Sequence, residues 1–463
     1  MGVNPTAQLL EPEVRELIES GRLAEVRAIL HELPLADVAD IFEELGPEQA
    51  ALGFRVLHRD DAGEVFSYLS AVKQEELIDR LGAEGALRVV EAMSPDDRVR
   101  LLDELPSEVA QRLVASLSPE NRRTTQAILG YPPESVGRLM TPDYVKIRPE
   151  WTVQQAIEHL RQHGRDAETI NVVYVVDDQG RLIDDMRLRK LLLANPTDLV
   201  ESIMNHQFVS LRADQDQEEA VRVMSRYDRI ALPVVDSRGV LVGIVTSDDV
   251  ADVAEAEVTE DIQKQGAVQA LDAPYMEVRL WEMLRKRGVW LSALFVGQTI
   301  TIIVLGSYQA ELARAAVLMI FLPLVISCGG NSGSQAATLI TRALALQEVG
   351  PGDWWRIIRR EVVTALLLGL SLGFLGWVCV EFFTGIGHAK TDQSLRLAFT
   401  VSAAIVAVVL WGTLLGSLLP LLLKRLKIDP ATASSPMVAT LMDASGTLIY
   451  LAVAVLILAD VLG

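Results

Sequence analysis

The sequence is poor in the residues on which most enzymes and secreted domains depend. Its 463 residues hold two cysteines, Cys328 and Cys379, both in an apolar stretch, so no disulfide framework exists. The six histidines (31, 58, 159, 163, 206 and 388) are scattered, with no HExxH pair and no nucleophile–base pairing. No GxxxxGK[ST] loop is present, which removes the usual ATPase apparatus. Positive charge is scarce too: 42 Lys and Arg stand against 62 Asp and Glu, a formal net charge of -20. Such a balance excludes nucleic acid as a partner, because phosphate must be met by cationic side chains. A carboxylate surplus invites cations instead.

What the chain does have is segregation. Residues 1–278 carry 52 acids and 28 bases, a net of -24, whereas residues 279–463 carry 10 and 14, a net of +4. In the second part, apolar stretches run over 289–308, 313–337, 362–383, 397–423 and 437–462. Each reaches or exceeds the ~20 residues that cross ~30 Å of hydrocarbon as a helix. Arg285, Lys286 and Arg287 precede the first stretch; Arg342, Arg356, Arg359 and Arg360 separate the second from the third; Lys424, Arg425 and Lys427 follow the fourth. The alternate loops hold only Arg314, and then Lys390 and Arg396. The positive-inside bias places the acidic N-terminal body in the cytoplasm and the C-terminus outside a cell membrane crossed five times.

The acidic body has two textures. Over 20–125, prolines at 34, 47, 95, 106 and 119 open short units such as SPDDRVRLLDEL. Proline suits a helix's first turn and acids suit its positive end, so stacked short helices are predicted. An α-solenoid or superhelix is expected, with an irregular helical bundle as the alternative. Over 147–195 and 209–255 the period changes to a β-α-β-β-α unit that occurs twice. A polar, acid-rich helix over 251–269 then leads to the apolar half.

Three features carry chemistry. Asp443 lies inside the fifth apolar stretch with no basic residue in that helix, where a carboxylate costs ~2.5–3.5 kcal/mol on insertion scales. A buried protonated carboxyl is the plain reading; an ion-pathway ligand is the sharper one. The second stretch, FLPLVISCGGNSGSQAATLITRAL, places Asn331, Ser332, Ser334, Gln335, Thr338 and Thr341 at membrane depth. Its Gly329, Gly330 and Gly333 allow close backbone approach, and Pro323 removes one helix hydrogen bond, which permits local unwinding. Neutral oxygens with one carboxylate suit a hydrated divalent cation such as Mg²⁺. The run ADVAEAEVTEDIQ carries Asp252, Glu255, Glu257, Glu260 and Asp261 without a Lys or Arg, so its closed packing is expected to need an added cation.

The stretches PLVISCGGNSGSQAATLITRALA, DPATASSPMVATLMDASGTLIY and GYPPESVGRLMTPDYV resemble the MgtE-type magnesium transporter family. The resemblance covers nearly the whole chain. It implies a multi-domain membrane protein with a superhelical N domain (1–130), tandem α/β CBS domains (131–200 and 201–253), an acidic connecting helix (254–278) and a five-helix transmembrane domain (279–463). It further implies a homodimer in the lipid bilayer, with two Asp443 carboxylates facing one Mg²⁺. The Ala439 carbonyl, Asn331, Gln335 and Thr338 match the family's pore positions. Mg²⁺ is also implied as regulator, closing the gate at Glu218, Asp228, Asp249, Asp252, Glu257, Glu260 and Asp261, with Asp96 in the N domain and Asp429 before the fifth helix.

The chain departs from the pattern at three places. Arg100 stands where the family often has a second acid, and an Asp96–Arg100 pair is expected. Ser334 and Ser435 replace longer polar side chains near the pore. Arg187 and Lys190 stand where the first CBS unit should offer a hydroxyl and an acid to a nucleotide, although the second unit keeps Gly243, Thr246 and Asp249. ATP is therefore doubtful as a ligand. An alternative to transport is a membrane sensor whose CBS pair reads a ligand while the helices only anchor it.

Overall fold

The computed structural model describes residues 5–271, 275–276, 278–314, 316–386 and 394–458; His388 and Lys390 lie outside them. It divides into two compact units, Met1–Glu257 and Val258–Gly463.

Short helices fill the start of the first unit from Pro5–Glu19 to Pro119–Leu129, beginning upstream of the proline-marked stretch. Pro47, Pro95 and Pro119 occupy first-turn positions, while Pro34 and Pro106 sit one residue earlier as N-caps. In all five places the missing N–H has no helical partner to lose. A longer repeat underlies these units. The Glu43 carboxylate accepts from the Ser70 hydroxyl (2.5 Å), and Glu91 likewise accepts from Ser118, 27 residues on in each case. Glu43 and Glu91, Pro47 and Pro95, and Ser70 and Ser118 all share one offset of 48. Arg98 is fully buried, and its guanidinium donates to the carbonyls of Val90 (2.8 Å) and Met93 (2.7 Å), which satisfies it.

Two β-α-β-β-α units follow. β1 (Tyr144–Ile147) pairs parallel with β2 (Thr169–Val176), which pairs antiparallel with β3 (Leu182–Arg187). β4 (Leu211–Arg212), β5 (Ala231–Val235) and β6 (Leu241–Thr246) repeat that order. The helices Val153–His163 and Glu218–Tyr227 make the parallel crossovers. Both hairpin turns are built alike: Asp177 accepts from the N–H groups of Gln179 and Arg181, and Asp236 from those of Arg238 and Val240. Gly180 (φ +76°) and Gly239 (φ +80°) supply the left-handed residue each turn requires. The turns also bond each other, Leu182 N–H to Gly239 (3.1 Å) and Leu241 N–H to Gly180 (3.0 Å). The two cores exchange their leading segments. Val136 and Met140 pack with Leu232 and Val234 of the second sheet, while Val200 packs with Val173 and Val175 of the first.

Among its described residues the second unit holds five helices long and apolar enough to cross a membrane: Leu280–Ser307, Val317–Ala345, Trp354–Gly385, Ser394–Arg425 and Ser435–Ile457. They are the five expected stretches in the expected order. The second, fourth and fifth share a core around Val325, Val408, Met442 and Tyr450. Glycine lets the second and fourth touch backbone to backbone: a Cβ on Gly412 would lie 2.3 Å from the Gly329 carbonyl oxygen, and one on Gly416 2.0 Å from that of Gly333. The unwinding that Pro323 permits is not taken up, for Val317–Ala345 is one continuous helix. It is bonded to the fourth span by the Ser332 and Thr413 hydroxyls, 2.7 Å apart.

Candidate functional site

Asp443 opens onto a recess of about 430 Å³ between the second and fifth spans. Pro323, Ser327, Asn331 and Ser334 line one side, and Ala439 and Asp443 the other. Ala439 and Asp443 are one helical turn apart, so both meet the same space. Gly330 lines it as well. Nothing lies within 4 Å of a Cβ there, so this glycine opens the recess instead of packing a helix. Asn331 donates to Ser327 (3.4 Å), and Ser334 to the Ser435 carbonyl at the head of the fifth span (3.4 Å). Gln335 and Thr338 do not line the recess. They continue its polar stripe at spacings that keep one helix face, and Asn331, Gln335 and Thr338 are all exposed. Polar side chains cannot face hydrocarbon without cost, so this stripe belongs against water or protein.

The acids of the first unit gather where Pro95–Glu104 meets the start of the linking helix Ser247–Gln265. Asp96 is buried, and one of its carboxylate oxygens lacks a hydrogen-bond partner. Burial, with Asp97 beside it, pushes its carboxyl up to about 6. Burial and the charge of Asp96 push Asp249 higher, to about 8, against a stabilising bond from the Thr246 hydroxyl (2.8 Å). Glu168, which precedes β2, is raised to about 7 by burial and then by Asp96. The expected Asp96–Arg100 pair does not form. Arg100 points away to Asp97 and Asp252, at 2.9 Å each, and Asp96 stays buried beneath. Glu257 accepts from Gln217 (2.9 Å). Glu218 and Asp228 stand at opposite ends of Glu218–Tyr227, ~15 Å apart at 1.5 Å per residue, so they do not share one ion within this chain.

Glu260, Asp261 and Asp429 come together in the second unit, around Lys264. The ammonium lies 2.6 Å from Glu260 and 2.7 Å from Asp429. Burial followed by the Asp429 charge raises the Asp261 carboxyl. The acidic run therefore does find cations, Arg100 from the N-terminal helices and Lys264 just past its own end. Sequence reasoning passed over Lys264, although its place four residues after Glu260 is the spacing of a helical ion pair. It also missed Glu168, which no local pattern marks. Among the described residues, no three His, Cys, Asp or Glu side chains converge as a ready-made metal cage within one protomer.

Models of known families match most of the chain. A divalent cation transporter domain, MgtE, covers residues 322–453, the MgtE intracellular N domain covers 33–134, and CBS domains cover 136–191 and 200–256. The magnesium transporter MgtE of Thermus thermophilus is 40% identical over 455 residues, spanning 97% of this chain and 98% of its own. The chain belongs to the MgtE family. That of Bacillus subtilis is 32% identical over 95% of both chains. Among solved structures, the cytosolic domain of the Mg²⁺ channel MgtE in complex with ATP is similar at a TM-score of 0.51 and 38% identity, covering 53% of this chain and all of that one. The soluble part of a magnesium transporter is similar at 0.52 and 26% identity, over 54% and 99%.

The MgtE family is one of transporters and not of enzymes, in keeping with the scattered histidines and missing phosphate loop. Its CBS pair is matched in both units. The Thr246 hydroxyl donates to Asp249 (2.8 Å), and the charge of Asp96 adds to the burial that raises the Asp249 carboxyl. Gly243 is needed for packing in any case, since a Cβ there would meet the Met140 sulfur at 2.8 Å.

Proposed function

We propose that this MgtE member conducts Mg²⁺ across the cell membrane as a homodimer, and that cytosolic Mg²⁺ closes it. The recess that joins Asp443 to Asn331, Ser334 and Ala439 carries the reading. Two copies of an exposed polar stripe, set face to face, form a path lined by neutral oxygens with one carboxylate from each protomer. Two carboxylates balance one divalent ion, and the neutral oxygens suit a cation that keeps much of its water. The negative-inside potential drives entry with ~2.3 kcal/mol per charge per 100 mV.

Closure follows from the acids of the cytoplasmic body. Asp96 and Asp249 are crowded carboxyls, and Mg²⁺ bound between them stabilises the compact arrangement by mass action. Glu218, Asp228, Asp252, Glu257, Glu260, Asp261 and Asp429 belong to the same regulatory surface. ATP is set apart from this scheme. A relative's cytosolic domain has been crystallised with ATP, but here Arg187 and Lys190 stand at the first unit's recognition positions.

The test is Mg²⁺ flux into proteoliposomes, wild type beside Asp443→Ala, at low and millimolar Mg²⁺ on the side of the cytoplasmic body. Wild-type flux that stops at millimolar Mg²⁺ is expected. Losing a charged ligand worth ~1.5–3 kcal/mol cuts the Asp443→Ala flux roughly ten- to a hundredfold. Flux insensitive to cytosolic Mg²⁺ would remove the gating reading and leave the pore. No flux from folded dimer would favour a membrane sensor.

A further inference from the structure

We propose that Lys264 is a positioning residue that supplies from within the chain the cation joining the linking helix to the loop before the fifth span. The ammonium sits between Glu260, one turn back on its own helix, and Asp429, 165 residues away (2.6 and 2.7 Å). Both oxygens of Asp429 are engaged: Oδ2 accepts from Lys264, and Oδ1 accepts from the N–H of Ala431 (2.9 Å), capping the short turn Pro430–Thr432. Asp261 lies next to Glu260 in the chain, and burial followed by the charge of Asp429 raises its carboxyl. Glu260, Asp261 and Asp429 together would carry three negative charges, and Lys264 removes one without any ion from solution. The pair is half-buried, with Lys264 29% and Asp429 39% exposed. The same helix end is tied a second time, since Gln263 accepts from the N–H of Leu271 (2.7 Å) and Lys286 donates to the Ala270 carbonyl (2.6 Å).

The consequence deepens the gating reading and rests on it: docking of residues 258–265 is present without Mg²⁺, Mg²⁺ at Glu260, Asp261 and Asp429 adds to a contact already made, and the larger metal dependence resides in the Asp96–Asp249 junction. Hydrogen exchange on full-length protein, in chelator and in millimolar Mg²⁺, separates the two. In the wild type, residues 258–265 stay protected in chelator and gain little from Mg²⁺. Lys264→Met exposes three uncompensated carboxylates, so this segment exchanges about three- to tenfold faster in chelator and recovers in Mg²⁺. Lys264→Arg keeps the charge and retains the wild-type pattern. Asp429→Asn removes the distant partner, so it too loosens the segment in chelator, and it decides the matter if Lys264→Met does not fold. Wild-type protection that appears only with Mg²⁺ would overturn the proposal. So would unchanged protection in both neutralised variants. Exchange in Pro95–Glu104 reports the gating reading independently: if it ignores Mg²⁺ in every variant, gating fails while the Lys264 result stands.

Discussion

Asp96 and Asp249 sit where a carboxylate is hardest to keep ionised, and each worsens the position of the other. Asp96 lacks a partner for one buried oxygen, and the Thr246 hydroxyl, 2.8 Å from Asp249, does not offset its burial. In the unfolded chain both titrate near 3.8; in the folded protein Asp96 rises to about 6 and Asp249 to about 8. Between these limits the folded state binds more protons than the unfolded state, so stability falls as pH rises. The loss begins above the unfolded value and is complete once pH passes the folded value of Asp249. In chelator, the thermal midpoint of full-length protein in detergent should therefore drop between pH 6 and 8. Asp249→Asn removes the charge that cannot be accommodated and should flatten that profile while raising the midpoint at pH 8. A flat wild-type profile would show that the junction relaxes enough to hydrate both groups.

Between elements, the decisive contacts are made by what is missing from a side chain. The second and fourth spans meet at Gly329, Gly333, Gly412 and Gly416, with no room for a methyl group. Gly416→Ala should cost ~1–3 kcal/mol through overpacking, seen as a lower thermal midpoint. Gly330→Ala, three residues before Gly333, faces open space and should leave that midpoint unchanged. Equal effects from the two would mean that the spans pack differently. These roles mark the limit of what sequence discloses. The proline-led helices, the doubled β-α-β-β-α unit and the five spans are legible because each rests on local spacing or on hydrophobic length. The glycines of the second span read alike in sequence, and only the fourth span separates packing glycines from the one that opens the recess. Asp443, Asn331 and Ala439 could be picked out by depth and polarity, and the recess unites them. Arg100 was paired with the wrong acid because Asp97 and Asp252 compete for it, and Asp252 lies 152 residues away. The exchange of Val136 and Val200 between the two cores is a long-range fact that no local pattern carries.

For the whole molecule, the governing quantity is the charge asymmetry: a net of -24 over residues 1–278 beside +4 over the remainder. A body so charged repels itself, and two different kinds of cation can relieve that repulsion. Screening is indifferent to identity: any salt shortens the Debye length, to ~10 Å at 0.1 M, and weakens repulsion between exposed carboxylates. Bridging is specific, because a divalent ion held by buried acids such as Asp96 and Asp249 stabilises only the state that brings them together. The two separate in a titration of thermal stability with MgCl₂ against KCl at matched ionic strength. If bridging dominates, Mg²⁺ raises the midpoint well beyond KCl and keeps raising it with concentration, each site adding ~2.7 kcal/mol at a hundred times its Kd. Asp96→Asn together with Asp249→Asn should remove one site's share of that rise and leave the KCl response unaltered. If instead the two salts act alike at equal ionic strength, the acidic body responds to bulk charge alone. Closure by Mg²⁺ would then need some element other than these carboxylates.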